Sequence, residues 1–288
     1  MNRIPFDHRD AWVGSAPPQG LGRRHFLTSS VAVGFALAAQ PVMAQAIHTD
    51  SEGLVAGQVK IPVPGGEIPA YRAFPAKGGP FPTILVVHEI FGVHEHIQDV
   101  VRRLAKLGYY AICADLYSRQ GDVSQMASVQ DIIDKVVSKV SVPQFLADLD
   151  STVAYAGKTG KADTARLGVT GFCWGGRATW LYAAHNPHVR AGVAWYGPLN
   201  GAPEGSAIAH AGEIKGAVLG LYAGKDAHIP LSDVEKMREA LKGGKSEIIV
   251  YPEADHGFHA DYRPSYDAKA AADGWQRLRD WFKKNGVT

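Results

Sequence analysis

Apolar residues form two kinds of stretch that alternate from residue 82 to the C-terminus. Short continuous apolar runs are typical of strands buried on both faces of a parallel sheet. They fall at residues 82–88, 109–114, 166–170, 191–196, 217–222 and 247–251. Stretches with helical spacing fall at residues 95–107, 128–140, 143–159, 177–184, 231–241 and 265–284. This alternation predicts an α/β fold with a mostly parallel central sheet and helices on both faces.

Two further runs, with alternating or β-branched residues, precede this pattern. Residues 57–63 and 67–74 flank a Pro-Gly-Gly turn, which predicts an antiparallel hairpin at the start of the sheet. A hydrophobic content of 46% suits a globular protein with a sizeable core. Since the sequence contains no evident linker or repeat, we expect residues 47–288 to form one α/β domain.

The first 46 residues have the features of an export signal. Arg23 and Arg24 form a twin-arginine pattern, and an apolar, Ala-rich stretch follows at residues 31–39. Because a bilayer span needs roughly 20 apolar residues, we expect no stable membrane insertion. The sequence therefore predicts recognition by the Tat export machinery and a periplasmic or secreted protein. Small residues permit cleavage after Ala44 or after Ala46, and the sequence alone does not choose between them.

Charge and cysteine content narrow the possible partners. The formal net charge is +2 with both signs interspersed, so the sequence has no basic stripe of the kind that binds nucleic acid. The two cysteines could form a disulfide in an oxidising compartment. Cys113, however, lies in the apolar run at residues 109–114, where we expect a small core residue. We expect a monomer that acts on a small molecule.

The most informative motif is Gly-Phe-Cys-Trp-Gly-Gly at residues 171–176. It lies between a predicted strand and a predicted helix, which is the context of a nucleophile elbow with cysteine in place of serine. Glycines on either side let the helix start pass close to neighbouring strands. A thiol at a helix N-terminus is favoured as a thiolate. Cys173 is therefore a candidate nucleophile, and the alternative is a buried structural cysteine in a Gly-rich turn.

Two further residues at strand ends complete a candidate triad. Asp226 follows the strand at residues 217–222, and His256 follows the strand at residues 247–251. The chain order nucleophile, acid, histidine is that of the α/β-hydrolases. His256 would be the base and Asp226 the carboxylate that orients it. The rival acids Glu253 and Asp255 stand too close in sequence to His256 to orient its ring.

Three histidines lie close together in the sequence but do not indicate a metal site. His88, His94 and His96 lack the carboxylates and the spacing that are typical of metal ligands. We therefore expect no metal at these histidines.

The chain resembles the dienelactone hydrolase (carboxymethylenebutenolidase) family over nearly all of the sequence from about residue 55. The motifs that carry the resemblance are His-Glu-Ile-Phe-Gly-Val at residues 88–93, Asp-Leu-Tyr-Ser-Arg-Gln at 115–120, the elbow at 171–176, Gly-Lys-Asp at 224–226 and His-Gly-Phe at 256–258. The resemblance implies an α/β-hydrolase fold. It also implies hydrolysis of a small lactone or ester through an acyl-cysteine intermediate, without cofactor or metal.

The same resemblance implies roles for four further residues. Glu89 matches a glutamate that helps to activate the thiol when substrate binds. The backbone N–H groups of Ile90 and Trp174 would form the oxyanion hole. Arg119 matches an arginine that holds the substrate carboxylate, a task that suits the planar, two-pronged guanidinium.

One position departs from the family pattern. A second carboxylate-binding arginine is expected four residues after the catalytic histidine, where this chain has Ala260. Arg263 lies nearby as a possible substitute, so specificity for a dienelactone carboxylate stays open. Two alternatives also remain: a thioester or peptide-like substrate for the same triad, or a protein that binds a small acid without turning it over.

Overall fold

The computed structural model describes residues 47–288, so the predicted export signal at residues 1–46 lies outside the described residues. Its centre is an eight-stranded sheet in the order β1-β2-β4-β3-β5-β6-β7-β8. The strands are β1 Leu54–Val63, β2 Gly66–Pro75, β3 Phe81–Val87, β4 Tyr110–Ala114, β5 Ala162–Phe172, β6 Val189–Trp195, β7 Ala217–Ala223 and β8 Glu247–Tyr251. β1 and β2 form the predicted antiparallel hairpin, and β2 also runs antiparallel to β4. The remaining neighbours are parallel, as predicted.

Helices connect the parallel strands and pack against the sheet. They are α1 Glu95–Lys106, α2 Val129–Lys135, α3 Val142–Lys158, α4 Trp174–His185, α5 Leu231–Ala240 and α6 Ala268–Lys284. Every residue of β4 and β7 is buried, which explains why these strands are apolar without alternation. Cys113 lies in β4 with no exposed surface, as predicted for a core residue. Across residues 47–288, no helix is both long enough and apolar enough to cross a membrane.

Two predicted helix boundaries were wrong, each for a local reason. The helix predicted to end at residue 140 stops at Lys135, because Val136 leaves the helical region (φ −124°, ψ −66°) and a short 3₁₀ turn follows. The last helix begins at Ala268 rather than at residue 265. Its N-cap is Asp267, whose side chain accepts hydrogen bonds from the backbone N–H groups of Lys269 and Ala270.

Candidate active site

The turn between β5 and α4 has the strained geometry of a nucleophile elbow. Cys173 has φ 57° and ψ −118°, a conformation that residues with a side chain rarely adopt. Its backbone N–H donates to the carbonyl oxygen of Trp195 at 3.0 Å, which ties the elbow to the end of β6. A Cβ atom at Gly175 would lie 2.3 Å from the carbonyl oxygen of Val87. The glycine thus allows α4 to start directly beside the end of β3.

Three predicted residues meet at the carboxyl ends of their strands. The Nε2 atom of His256 lies 3.3 Å from the Sγ atom of Cys173, and its Nδ1 atom lies 2.8 Å from Oδ2 of Asp226. The other carboxylate oxygen of Asp226 accepts from the N–H groups of His228 and Ile229, at 2.8 and 3.1 Å. The carboxylate is therefore held in place, and the imidazole bridges it to the sulfur.

The two rival acids have other partners. Glu253 forms an exposed ion pair with Lys225, with the two charged atoms 2.6 Å apart. Asp255 accepts a hydrogen bond from the backbone N–H of His256 at 2.6 Å. Asp226 contacts Nδ1 of the His256 ring at 2.8 Å.

The electrostatics of the site favour a charged imidazole. Burial by itself would lower the pKa of His256, but the adjacent Cys173 sulfur and the hydrogen bond to Asp226 together raise that pKa to about 10. Cys173 is only 1% exposed, so few solvent molecules screen the interaction. The geometry and the raised pKa together suit a charged imidazolium beside the Cys173 sulfur.

Glu89, the glutamate after β3, is completely buried and is held by three side chains. Its Oε2 atom accepts a short hydrogen bond from the Tyr262 hydroxyl and lies 3.3 Å from Nε2 of His94. The Arg263 guanidinium lies 3.6 Å from the other carboxylate oxygen and donates to the Tyr262 hydroxyl at 3.1 Å. Burial would raise the pKa of Glu89, but Arg263 and His94 hold that pKa well below its usual range. Glu89 is therefore an ionised carboxylate in the interior.

The sequence prediction missed two of these partners. Tyr262 and His94 both contact Glu89, and neither was singled out as a site residue. His94 stands five residues after Glu89 and could have been noticed as a titratable group in the same loop. Tyr262 is separated from Glu89 by 173 positions and carries no local signal.

Two backbone N–H groups were predicted to form an oxyanion hole. Trp174 is the first residue of α4, so its N–H has no acceptor within the helix. Ile90 lies in the loop after β3, where Glu89 and Gly92 form an isolated bridge. Gly175 brings the start of α4 against Val87, so both N–H groups belong to chain segments that meet beside Cys173.

The predicted carboxylate-binding arginine has a partner elsewhere. Arg119 forms a short ion pair with Asp148 of α3, whose side chain is 1% exposed. Arg263 instead contacts Glu89, and its own side chain is 13% exposed. Ala260, where the family pattern has arginine, is fully buried. Of the two cations, Arg263 is the one in contact with the predicted site.

The three neighbouring histidines serve separate interactions. His88 accepts from the N–H of Leu116 at 3.1 Å and contacts the Glu89 carbonyl oxygen at 2.7 Å, which links the loops after β3 and β4. His94 contacts Glu89, and His96 contacts Asp261 at 2.8 Å. Within the described range, no three histidine, cysteine or acidic side chains are grouped so as to hold a metal ion. Cys113 and Cys173 are both free thiols.

Comparison with known proteins identifies the family of this chain. The model of the dienelactone hydrolase family matches residues 68–286. A Methylorubrum extorquens protein provisionally named carboxymethylenebutenolidase is 61% identical over 276 residues, which cover 93% of this chain and 94% of that protein. An Escherichia coli K12 protein with the same provisional name is 50% identical over 88% of this chain and 96% of its own length.

A solved structure gives the same result. A provisionally assigned dienelactone hydrolase from Klebsiella pneumoniae superposes with a TM-score of 0.78 at 50% identity. The match covers 80% of this chain and 99% of that one. The eight-stranded, mostly parallel sheet and the helices that cover it are therefore an α/β-hydrolase fold.

Proposed function

Because the chain belongs to the dienelactone hydrolase family, and is a hydrolase of that kind, we propose that it cleaves small lactones or carboxylic esters through an acyl-cysteine intermediate. The observation that carries the proposal is the continuous contact from Asp226 through His256 to the Cys173 sulfur. This arrangement is what nucleophilic acyl transfer needs: a nucleophile, a base in hydrogen-bond reach and a group that orients the base.

In the acylation half-reaction, the Cys173 thiolate attacks the carbonyl carbon and forms a carbon–sulfur bond. The carbonyl electron pair moves to oxygen, and the N–H groups of Ile90 and Trp174 would stabilise that oxyanion. When the intermediate collapses, the carbon–oxygen bond of the ester breaks. The leaving alkoxide takes the proton from Nε2 of His256, so the imidazolium becomes neutral.

In the deacylation half-reaction, neutral His256 accepts a proton from water as the water oxygen attacks the thioester carbon. The tetrahedral intermediate expels the Cys173 thiolate and leaves a carboxylic acid. Asp226 keeps the same ring orientation in both steps, since its contact with Nδ1 does not involve the transferred proton. The cycle ends with the thiolate–imidazolium pair restored.

A substrate that carries a carboxylate would find Arg263 close to the triad. Arg263 is already held by the ionised Glu89, so an incoming carboxylate would compete with Glu89 for the guanidinium. We propose that such competition changes the environment of Glu89 when substrate binds. Arg119 stays a prediction for the same role, and its ion pair with Asp148 would have to loosen first.

We further propose that residues 1–46 direct export through the Tat pathway to the periplasm or the exterior. The support is the twin-arginine pattern with its apolar stretch and small residues. The monomeric state likewise remains a prediction.

The proposed function is tested with mature protein, a chromogenic acetate ester and a dienelactone. Wild type should hydrolyse both substrates, and Cys173→Ala should lower turnover by at least about 10³-fold because the nucleophile is absent. The matched control is Cys113→Ala, which changes the other buried thiol, within β4, and should retain activity. Circular dichroism would check that both variants fold.

The outcomes separate the alternatives. Turnover of the ester alone would keep the mechanism and reject the dienelactone as substrate. Turnover of a thioester panel but of neither ester would favour the thioester reading. Tight binding of a small acid with no turnover of any acyl substrate would favour a binding protein, and undiminished activity in Cys173→Ala would refute the acyl-cysteine mechanism.

A further inference from the structure

Tyr196, the first residue after β6, has a strained backbone next to the nucleophile. Its φ is 35°, within the left-handed region that residues with a large side chain rarely adopt. The N–H of Tyr196 donates to the Leu221 carbonyl oxygen at 2.8 Å. The preceding carbonyl oxygen, that of Trp195, accepts from the N–H of Cys173 at 3.0 Å. These two hydrogen bonds fix the strained segment beside the thiol, and strain of this kind is concentrated at functional sites.

The hydroxyl group of Tyr196 is buried without a hydrogen-bond partner. The residue has no exposed surface, and no atom of residues 47–288 forms a hydrogen bond with its Oη atom. A buried hydroxyl that lacks a partner costs free energy. A phenylalanine would fill the same space without that cost, so packing alone does not account for the hydroxyl.

The Tyr196 side chain lies among the groups of the proposed reaction. Its ring packs edge-to-face against the His256 ring, with the centroids 5.2 Å apart. Burial raises the pKa of the hydroxyl well above its usual value, and the charges of Glu89, Arg263 and Cys173 also act on it. The hydroxyl therefore keeps its proton at neutral pH and can donate a hydrogen bond inside the site.

The strand order separates this donor from the predicted oxyanion hole. β5, which ends directly before Cys173, lies between β3 and β6 in the sheet. Ile90, predicted to supply one oxyanion donor, follows β3, whereas Tyr196 follows β6. The backbone of Tyr196 therefore approaches the thiol from the side opposite to Ile90. This separation favours contact with a substrate oxygen other than the scissile carbonyl oxygen.

Arg263 provides a second buried donor in the same region. Its Nη2 atom is buried and forms no hydrogen bond with the described residues, because the nearest carboxylate oxygen, that of Glu89, is 3.6 Å away. The Cys173 sulfur is close enough to influence Arg263 and Tyr196 electrostatically. A phenol and a guanidinium beside the nucleophile suit an acyl group that carries an oxygen acceptor of its own.

We propose that Tyr196 is a specificity-determining residue of the proposed hydrolysis, and that its hydroxyl donates a hydrogen bond to an oxygen atom on the acyl part of the substrate. The preferred substrates are then esters or lactones whose acyl part carries an ether, hydroxyl or carboxylate oxygen close to the scissile carbonyl. The proton stays on the Tyr196 oxygen, and no covalent bond to this residue forms. This proposal rests on the proposed function.

The test compares Tyr196→Phe with the wild type on two matched pairs of 4-nitrophenyl esters. In the first pair, methoxyacetate has an ether oxygen where butyrate has a methylene group. In the second pair, hydrogen succinate has a carboxylate where 4-methylpentanoate has two methyl groups. Loss of one hydrogen bond should lower kcat/KM for the oxygen-bearing ester relative to its apolar partner, by about fivefold for the ether or about tenfold or more for the carboxylate.

The outcomes of this comparison are distinct. A selective loss in either pair supports the proposal and identifies the acceptor as neutral or anionic. Equal losses within both pairs, or no loss in either, overturn the specificity role and leave the proposed function intact. No wild-type turnover of any of the four esters, or full activity in Cys173→Ala, would instead overturn the proposed function and this proposal with it.

Thermal stability separates a role in specificity from a structural one. Tyr196→Phe removes a hydroxyl that has no partner in the described chain, so its melting temperature should equal or exceed that of the wild type. The matched control is Tyr182→Phe. Tyr182 is also fully buried, but its hydroxyl donates to Asp150 at 3.0 Å and accepts from Asn186 at 2.9 Å. This control should melt at a lower temperature and keep the wild-type preference within both ester pairs. An equally low melting temperature in Tyr196→Phe would show that its hydroxyl is structural and overturn the proposal.

Discussion

At the scale of single residues, the state of the triad depends on what surrounds one imidazole. Burial lowers the pKa of His256, but the neighbouring Cys173 sulfur and Asp226 carboxylate raise it by more than burial lowers it. His256 is thus able to keep its proton at neutral pH, as the proposed mechanism requires of the group that protonates the leaving alkoxide. Its pKa reports directly on the charge of its neighbours.

We predict that Cys173→Ala lowers the pKa of His256 from its value of about 10. The substitution removes the sulfur, which is the largest contribution that raises this pKa, and leaves the contribution of Asp226 in place. An NMR titration of the imidazole nitrogens measures the change. Cys113→Ala should leave the pKa of His256 unchanged, and an unaltered pKa in Cys173→Ala would contradict the role of the sulfur.

At the scale of elements, the elbow depends on how closely α4 approaches β3. Gly175 faces the carbonyl oxygens of Val87 and His88, and a Cβ atom there would lie within 2.6 Å of both. Because these atoms belong to backbone, no side-chain rotation can relieve the clash. The helix would have to move away from the strand whose following loop carries Glu89 and Ile90.

We therefore predict that Gly175→Ala lowers the free energy of unfolding by about 3 kcal/mol or more. That corresponds to a fall in melting temperature of roughly 6–12 °C for a domain of this size. Esterase activity should fall as well, since the elbow and the loop after β3 separate. Gly212→Ala is the control, because a Cβ atom there meets nothing within 4 Å. Equal melting temperatures in the two variants would contradict the packing argument.

At the scale of the whole molecule, the apolar pattern could predict the sheet because parallel strands covered on both faces must be apolar throughout. The triad could be predicted because each member directly follows a strand, and carboxyl ends of parallel strands meet at one edge. The contact of Tyr262 with Glu89 could not be predicted from the sequence, because it depends on how the loop after His256 folds back. The early end of α2 depends on the backbone of one residue, Val136, which no apolar spacing shows.

Buried titratable groups across the molecule set how its stability depends on pH. Burial lowers the pKa of His88 and of His259, so the unfolded chain takes up protons first as pH falls below about 6.5. Asp261, with a pKa of about 2, extends this loss of stability to lower pH. The pKa of His256 is raised in the folded state, so its contribution to stability is fully present below about pH 6.5 and is lost as the pH rises towards 10. Stability should therefore peak near pH 6.5.

We predict that His259→Phe reduces the loss of stability that occurs as the pH falls below 6.5. The His259 ring packs among Phe172, Trp195 and Trp275 at centroid distances of 4.6–5.7 Å, so a phenyl ring suits the site and cannot take up a proton. Melting temperatures measured from pH 4 to pH 10 should fall less steeply below pH 6.5 than in the wild type. His188→Gln, which changes an exposed histidine, should follow the wild-type curve. A His259→Phe curve parallel to the wild type would refute this assignment.

The positions of the two free thiols also determine how oxidants would inactivate the enzyme. Peroxide that reaches a thiolate converts it to a sulfenic acid, which a neighbouring thiol can rescue by forming a disulfide. The chain has two cysteines, and the second, Cys113, is sealed within β4. Cys173 therefore has no resolving partner within its own chain. Its working lifetime in an oxidising compartment depends on small thiols or reductases supplied from outside, and without them further oxidation is permanent.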